Sequence, residues 1–165
     1  MISLCYDVTM LKIIILIIHL ISAPLLGNVL KEDKLPSYAA SLSMLKSIDN
    51  DAIVLGTGEK VLYVFIDPLC KHSRKFVSMV SNKSVMLSKY QYHFFLFSLP
   101  RLKSQNVVTA IYMSDNPSET LLKIMVDNKH LSQKQNDMTD SKIKRISSTA
   151  EKIGVFKRPY IFIIK

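Results

Sequence analysis

Cys70 occupies the position in this sequence with the clearest chemical potential, at a junction between a strand and a helix. The apolar run Val61–Ile66 is too short for a helix of its own and predicts a strand buried on both faces. Asp67-Pro68 ends that strand, because proline has no N–H to donate. After Cys70 the apolar period becomes helical, with Phe76, Val77 and Val80 on one face. The sequence therefore predicts a helix that begins at Cys70.

A helix start favours the ionised form of a cysteine. The unpaired N–H groups and the positive end of the helix dipole stabilise an anion, and Lys71 and His72 add positive charge nearby. The thiolate is the nucleophile in thiol–disulfide exchange. We therefore predict that Cys70 is an exposed, readily ionised thiol assisted by His72, rather than a buried and inert one.

Ser73 follows Cys70 by nearly one helical turn. Its hydroxyl could hydrogen-bond a thiolate, but it cannot attack a mixed disulfide, so only another thiol could release a partner bound to Cys70. This excludes a self-contained dithiol oxidase. Isomerase-like shuffling, exchange with a small thiol, and the holding of cysteine-containing clients remain open.

Metal chemistry and hydrolysis are less well supported by the sequence. The histidines His19, His93 and His130 are scattered, and no His/Cys pair has the spacing of metal ligands. No nucleophile elbow that would support a Ser-His hydrolase is visible. We expect no metal and no cofactor.

The segment around Cys70 resembles the active site of the thioredoxin-fold disulfide oxidoreductases, and most closely the bacterial periplasmic disulfide isomerases of the DsbC and DsbG type. In that family a hydrophobic strand ends in an acidic or polar turn, and a Cys-x-x-Cys motif opens the next helix. Here the motif is Cys70-Lys71-His72-Ser73, with serine in place of the second cysteine.

Pro159 adds a second point of resemblance. It opens a β-rich run and resembles the cis-proline that faces the active-site cysteine in this family. The alternative is a trans proline that begins an edge strand. The resemblance implies that Arg158 and Pro159 contact substrate. In the family the residue before this proline is usually small or β-branched. Arg158 is neither, so its contact with substrate is expected to differ from the family's.

The resemblance covers roughly residues 54–164 and implies an α/β, thioredoxin-like fold with a helical insertion. The family continues with a further strand and a final helix, so we expect those elements to be missing here. The expected domains are a signal peptide or anchor (1–27), a lead segment with a short helix (28–50) and a thioredoxin-like domain (51–165).

The apolar and turn patterns predict the remaining elements. Strands 61–66 and 92–99, separated by a helix, imply a parallel crossover. Before strand 61–66 we predict a helix at 37–48 capped by Ser37, and a strand at 52–55 that forms a hairpin with strand 61–66. A resumed helix is predicted at 85–90. After strand 92–99 we predict helices at 106–113, 118–128 (capped by Ser118) and 140–153, an exposed loop at 129–139 and a last β-rich run at 155–164.

The first 27 residues have the composition of a secretory signal. Lys12 precedes an apolar run that extends to Leu26, and cleavage is expected near Gly27. The alternative is an uncleaved membrane anchor. Cleavage would remove Cys5 and leave Cys70 as the only cysteine. A lone thiol in an oxidising compartment is either buried and inert or available to react, and we predict a reactive, periplasmic protein.

The chain is basic, with a formal net charge of +9, which the loss of Lys12 and Asp7 would not change. The positive residues are scattered, so nucleic-acid binding is not expected. The expected partners are cysteine-containing client proteins or a small thiol, with a redox partner protein as a further candidate. Membrane contact is expected only through an uncleaved signal. The competing hypothesis is a non-catalytic or truncated thioredoxin-fold protein that binds clients.

Overall fold

The computed structural model describes residues 35–134 and 136–164. The predicted signal at 1–27 lies outside the described residues, as does the lead segment up to Lys34. None of the helices in the described ranges has the length and apolar character needed to cross a membrane.

Four strands and six α-helices alternate along the described part of the chain. In order they are α1 (Tyr38–Ser47), β1 (Ile53–Leu55), β2 (Lys60–Ile66), α2 (Lys71–Ser81), α3 (Ser84–Lys89), β3 (Tyr90–Leu96), α4 (Gln105–Tyr112), α5 (Pro117–Met125), α6 (Asp137–Lys152) and β4 (Tyr160–Ile163). Short 3-10 turns cover Asp49–Asp51 and Pro100–Leu102.

The strands form one sheet in the order β1-β3-β2-β4. Strands β2 and β3 are parallel, whereas β1 and β4 are antiparallel to their neighbours. The two central strands are buried on both faces, as their continuous apolar runs predict. Phe65 and Phe95 pair across them with ring centroids 5.1 Å apart. The predicted crossover and α/β fold class are confirmed.

The predicted hairpin between β1 and β2 is wrong. β1 pairs with β3 instead, in the register Ile53↔Phe94. The connecting loop runs against the end of α3, where Thr57 N donates to Leu87 O at 2.8 Å. A Cβ on Gly58 would lie 2.1 Å from the carbonyl carbon of Lys89. Because the loop runs so closely along the end of α3 and the first residue of β3, β1 can pair with the edge of β3 that faces away from β2.

Helices α4, α5 and α6 form the predicted insertion between β3 and β4, with adjusted ends. Ser37 caps α1 as predicted. Ser118 is not a cap, because Asn116 accepts the N–H of Glu119 at 3.1 Å and Pro117 occupies the first turn. Helix α6 begins at Asp137, earlier than predicted, because Asn136 forms a capping box with Thr139.

Candidate active site

Cys70 is the N-cap residue of α2, where the sequence predicts the helix to begin. Its N–H donates to Asp67 O at 3.1 Å, which closes the turn that leaves β2. Its carbonyl accepts the N–H of Arg74 at 2.9 Å and so begins the helical hydrogen-bond pattern. Cys70 therefore stands at the positive end of the helix, although its sulfur accepts no hydrogen bond from the N–H groups of the first turn.

Cys70 is not exposed, contrary to the prediction, since only 5% of its surface reaches solvent. The segment before β4 lies against it, and the Cys70 thiol donates to Arg158 O at a distance of 3.9 Å. The Arg158–Pro159 peptide bond is cis, as the resemblance to thioredoxin-fold proteins implies. Local sequence predicted the helix start, whereas the burial comes from a segment almost ninety residues away.

A groove of about 630 Å³ borders Cys70. Three parts of the chain line it: the start of α2, the loop after β3 and the segment before β4. The lining residues are Cys70, His72, Leu99, Pro100, Arg101, Phe156, Lys157 and Arg158. The structure thus brings together Cys70, His72 and Arg158 of the predicted site, with Pro159 next in the chain.

Arg158 directs its side chain inward, away from solvent. Its guanidinium carbon lies 3.8 Å from the Phe97 ring centroid, and Nε donates to Phe97 O at 3.1 Å. Burial lowers the pKa of Arg158, while the nearby Asp67 and Cys70 act in the opposite direction. Arg158 and Cys70 therefore interact electrostatically, and Arg158 is only 9% exposed.

Ser73 is fully buried one turn into α2. Its hydroxyl oxygen accepts the N–H of Asp67 at 3.3 Å. Within residues 35–134 and 136–164, no hydrogen bond joins Ser73 to Cys70. In this structure, Ser73 supports the turn before Cys70 rather than contacting the sulfur.

Asp67 is a residue of the site that the sequence reasoning missed. Its buried carboxylate accepts hydrogen bonds from Leu69 N at 2.8 Å, Leu99 N at 2.5 Å and Ser104 Oγ at 2.7 Å. An acid directly after a buried apolar strand was the available signal, because such a group needs partners inside the protein. Asp67 holds the turn before Cys70 against the loop after β3.

Arg74 is a second residue that the sequence reasoning missed. Its Nε donates to Pro68 O at 2.7 Å, and Nη2 donates to Ile124 O at the same distance. A third bond joins Nη1 to Asn128 Oδ1 at 2.6 Å. Arg74 therefore fastens the turn before Cys70 to the end of α5.

The arrangement favours thiol chemistry. Cys70 is the one cysteine in the described ranges. Those ranges contain no group of three His, Cys, Asp or Glu side chains that could hold a metal ion. A thiolate at a helix start, next to basic groups, can attack a disulfide that enters the groove.

Solved structures with this architecture were found, although no known protein family and no curated protein matches the sequence. A disulfide interchange protein from Neisseria gonorrhoeae is 17% identical, with a TM-score of 0.55, over 68% of this chain and 79% of its own. The catalytic domain of Proteus mirabilis ScsC is 15% identical, with a TM-score of 0.57, over 77% of this chain and 86% of its own. Helicobacter pylori DsbG is 16% identical, with a TM-score of 0.59, over 99% of this chain and 74% of its own.

TM-scores of 0.55–0.59 show that these three proteins share the backbone architecture of this chain. At identities of 15–17% they identify the architecture. The chain has the thioredoxin fold found in Dsb-type thiol–disulfide exchange proteins.

Proposed function

We propose that this protein is a monothiol thiol–disulfide exchange protein of the cell envelope that acts through Cys70. The observation that carries the proposal is the position of Cys70, at the N-cap of α2 and against the Arg158 carbonyl before a cis-proline. This position combines stabilisation of an anion with access to a groove.

The proposed reaction has two exchange steps. The Cys70 thiol first gives its proton to solvent. Its sulfur then attacks a client disulfide, so that a Cys70–client disulfide forms and the second client sulfur leaves as a thiolate. In the next step an incoming thiolate attacks the mixed disulfide and releases Cys70 with its electron pair. When that thiolate belongs to the same client, the outcome is isomerisation without net oxidation.

Positive charge around the sulfur supports the first step. Arg158 lies beneath the groove, and Lys71 and His72 are exposed at the start of α2. A nearby cation stabilises the negative charge that a sulfur carries during exchange. Ser73 supplies no second thiol, so release depends on the client, a small thiol or a redox partner protein.

Export supports the same proposal, because disulfides persist outside the cytoplasm. The sequence from Lys12 to Gly27 has the form of a secretory signal, and we place the protein in the periplasm, with a membrane-anchored form as the alternative.

A second candidate function is client binding without catalysis. The low exposure of Cys70 is the observation that favours it, since a sulfur that is 5% exposed must gain access before it can react. The two functions differ in whether a covalent adduct forms through Cys70.

The test traps that adduct. Every variant carries Cys5→Ser, so that Cys70 is the only thiol of the parent. Each variant is incubated with a disulfide-containing client, quenched with acid and run on a non-reducing gel. We expect adducts for the parent, none for Cys70→Ala, and shorter-lived adducts for Ser73→Cys, whose new thiol can attack the mixed disulfide.

Ser73→Ala is the matched control, since it removes the hydroxyl without adding a thiol, and its adducts should persist. Parent adducts no more abundant than those of Cys70→Ala would leave only the non-catalytic candidate.

A further inference from the structure

The groove beside Cys70 carries charge of one sign. Its ionisable residues other than Cys70 are His72, Arg101, Lys157 and Arg158, and no carboxylate is among the described residues that line it. Arg101 and Lys157 have exposed side chains on two different segments, the loop after β3 and the segment before β4. Positive charge therefore borders the groove on more than one side.

This charge is not neutralised within the described part of the chain. The ion pairs recorded there are His93–Asp49, Lys123–Glu119 and Arg145–Asp51, and none includes a groove residue. Lys157 Nζ lies 5.5 Å from the Phe156 ring centroid and has an aromatic neighbour rather than an acidic one. The buried Asp67 offsets Arg158, which leaves Arg101 and Lys157 as the uncompensated cations.

The groove also has an apolar component. Phe156 is 77% exposed, and Leu99 and Pro100 line the groove beside Arg101. An exposed aromatic ring next to cations suits a ligand with both apolar and anionic groups. A volume of about 630 Å³ has room for several peptide units.

We propose that the partner of Cys70 is a peptide segment that carries carboxylates next to its cysteine. This inference rests on the proposed function, because it specifies which disulfides the Cys70 sulfur attacks. The carboxylates pair with Arg101 and Lys157, while a neighbouring apolar side chain packs on Phe156. The charge raises the local concentration of acidic disulfides at the sulfur and disfavours basic ones.

The experiment measures the rate of Cys70 consumption by three peptides in the full chain with Cys5→Ser. Each peptide has one cysteine joined by a disulfide to 2-mercaptoethanol, a neutral group. The cysteine is flanked by glutamates, glutamines or lysines. At low ionic strength we expect the acidic peptide to react about tenfold faster than the basic one, and 0.5 M salt should reduce that ratio.

Reversing the charge of the two groove cations tests whether they cause the preference for the acidic peptide. Arg101→Glu combined with Lys157→Glu should reverse the order of the acidic and basic peptides, with the glutamine peptide as the reference for intrinsic reactivity. Lys144→Glu combined with Lys46→Glu is the matched control, because both lysines are exposed, lie outside the groove lining and give the same change in net charge. This control should keep the original order.

The outcomes separate the inference from the proposed function. Equal rates for the three peptides, with a reaction that still requires Cys70, would overturn the inference and leave exchange intact. Oxidised glutathione reacting as fast as the acidic peptide would overturn the assignment to a peptide segment. No reaction through Cys70 with any disulfide would overturn both.

Discussion

At the scale of single residues, Arg158 holds a positive charge within electrostatic reach of Cys70. The guanidinium is held by the Phe97 ring and carbonyl, so its position is fixed. We expect Arg158→Met, which keeps an unbranched chain against the ring, to slow alkylation of Cys70 by iodoacetamide several-fold at pH 7, because less thiolate is present. At pH 10, where an ordinary thiol is ionised, the difference should largely disappear.

Arg158→Lys retains the charge and is the matched control, with a rate at pH 7 between those of the parent and Arg158→Met. The thermal midpoint of each variant separates an electrostatic effect from unfolding. A rate deficit of equal size at pH 7 and pH 10 would indicate altered access to the sulfur and contradict an electrostatic role.

Several residues of the candidate site could be predicted from the sequence, but the orientations of their side chains could not. The cis-proline was expected from the resemblance to thioredoxin-fold proteins, and the helix start at Cys70 could be predicted, because the strand–turn–helix pattern is a local feature. The direction of the Arg158 side chain could not, since it depends on Phe97, which lies 61 residues earlier. The segment that contains Arg158 also covers Cys70, which explains why the prediction of an exposed Cys70 was wrong.

At the scale of elements, Asp67 joins the end of β2 to the loop after β3 and the start of α4. Its carboxylate faces three donors, two of them backbone N–H groups. In Asp67→Asn one oxygen becomes an NH2 group, which would meet a donor and leave a buried N–H without an acceptor. We expect a loss of about 1–3 kcal/mol in the free energy of unfolding, measured with urea.

Asp115→Asn is the control for this change, because Asp115 is an exposed residue between α4 and α5. It should alter stability by no more than about 0.5 kcal/mol. If Asp67→Asn unfolds at the same urea concentration as the parent, the three hydrogen bonds do not hold these elements together.

The elements and the parallel arrangement of β2 and β3 could largely be predicted, whereas the pairing of β1 could not. Continuous apolar runs predict β2 and β3, and helical spacing predicts the helices between them. A three-residue strand such as β1 contains too little pattern to specify its neighbour. Its pairing with β3 depends on the Gly56–Gly58 loop passing closely along Lys89 and Tyr90, a tertiary contact that a hairpin rule does not contain.

At the scale of the whole molecule, the proposed chemistry suits an oxidising compartment, and we expect the segment 1–27 to route the chain out of the cytoplasm. Lys12 and the apolar run after it predict this. We expect alkaline phosphatase fused to the C-terminus to be active in a bacterial host, because that enzyme needs disulfides that form outside the cytoplasm.

Ile15→Arg should abolish the activity of the fusion, since it places a charge in the middle of the apolar run. Ile2→Arg is the matched control, because it makes the same change upstream of Met10, outside the predicted apolar run, and should preserve activity. Sequencing the N-terminus of the exported protein then separates a cleaved signal, which should leave Asn28 first, from an anchor that remains attached. An inactive parent fusion found in the cytosol would contradict export, and Cys70 would then have to function in a reducing compartment, where client disulfides are rare.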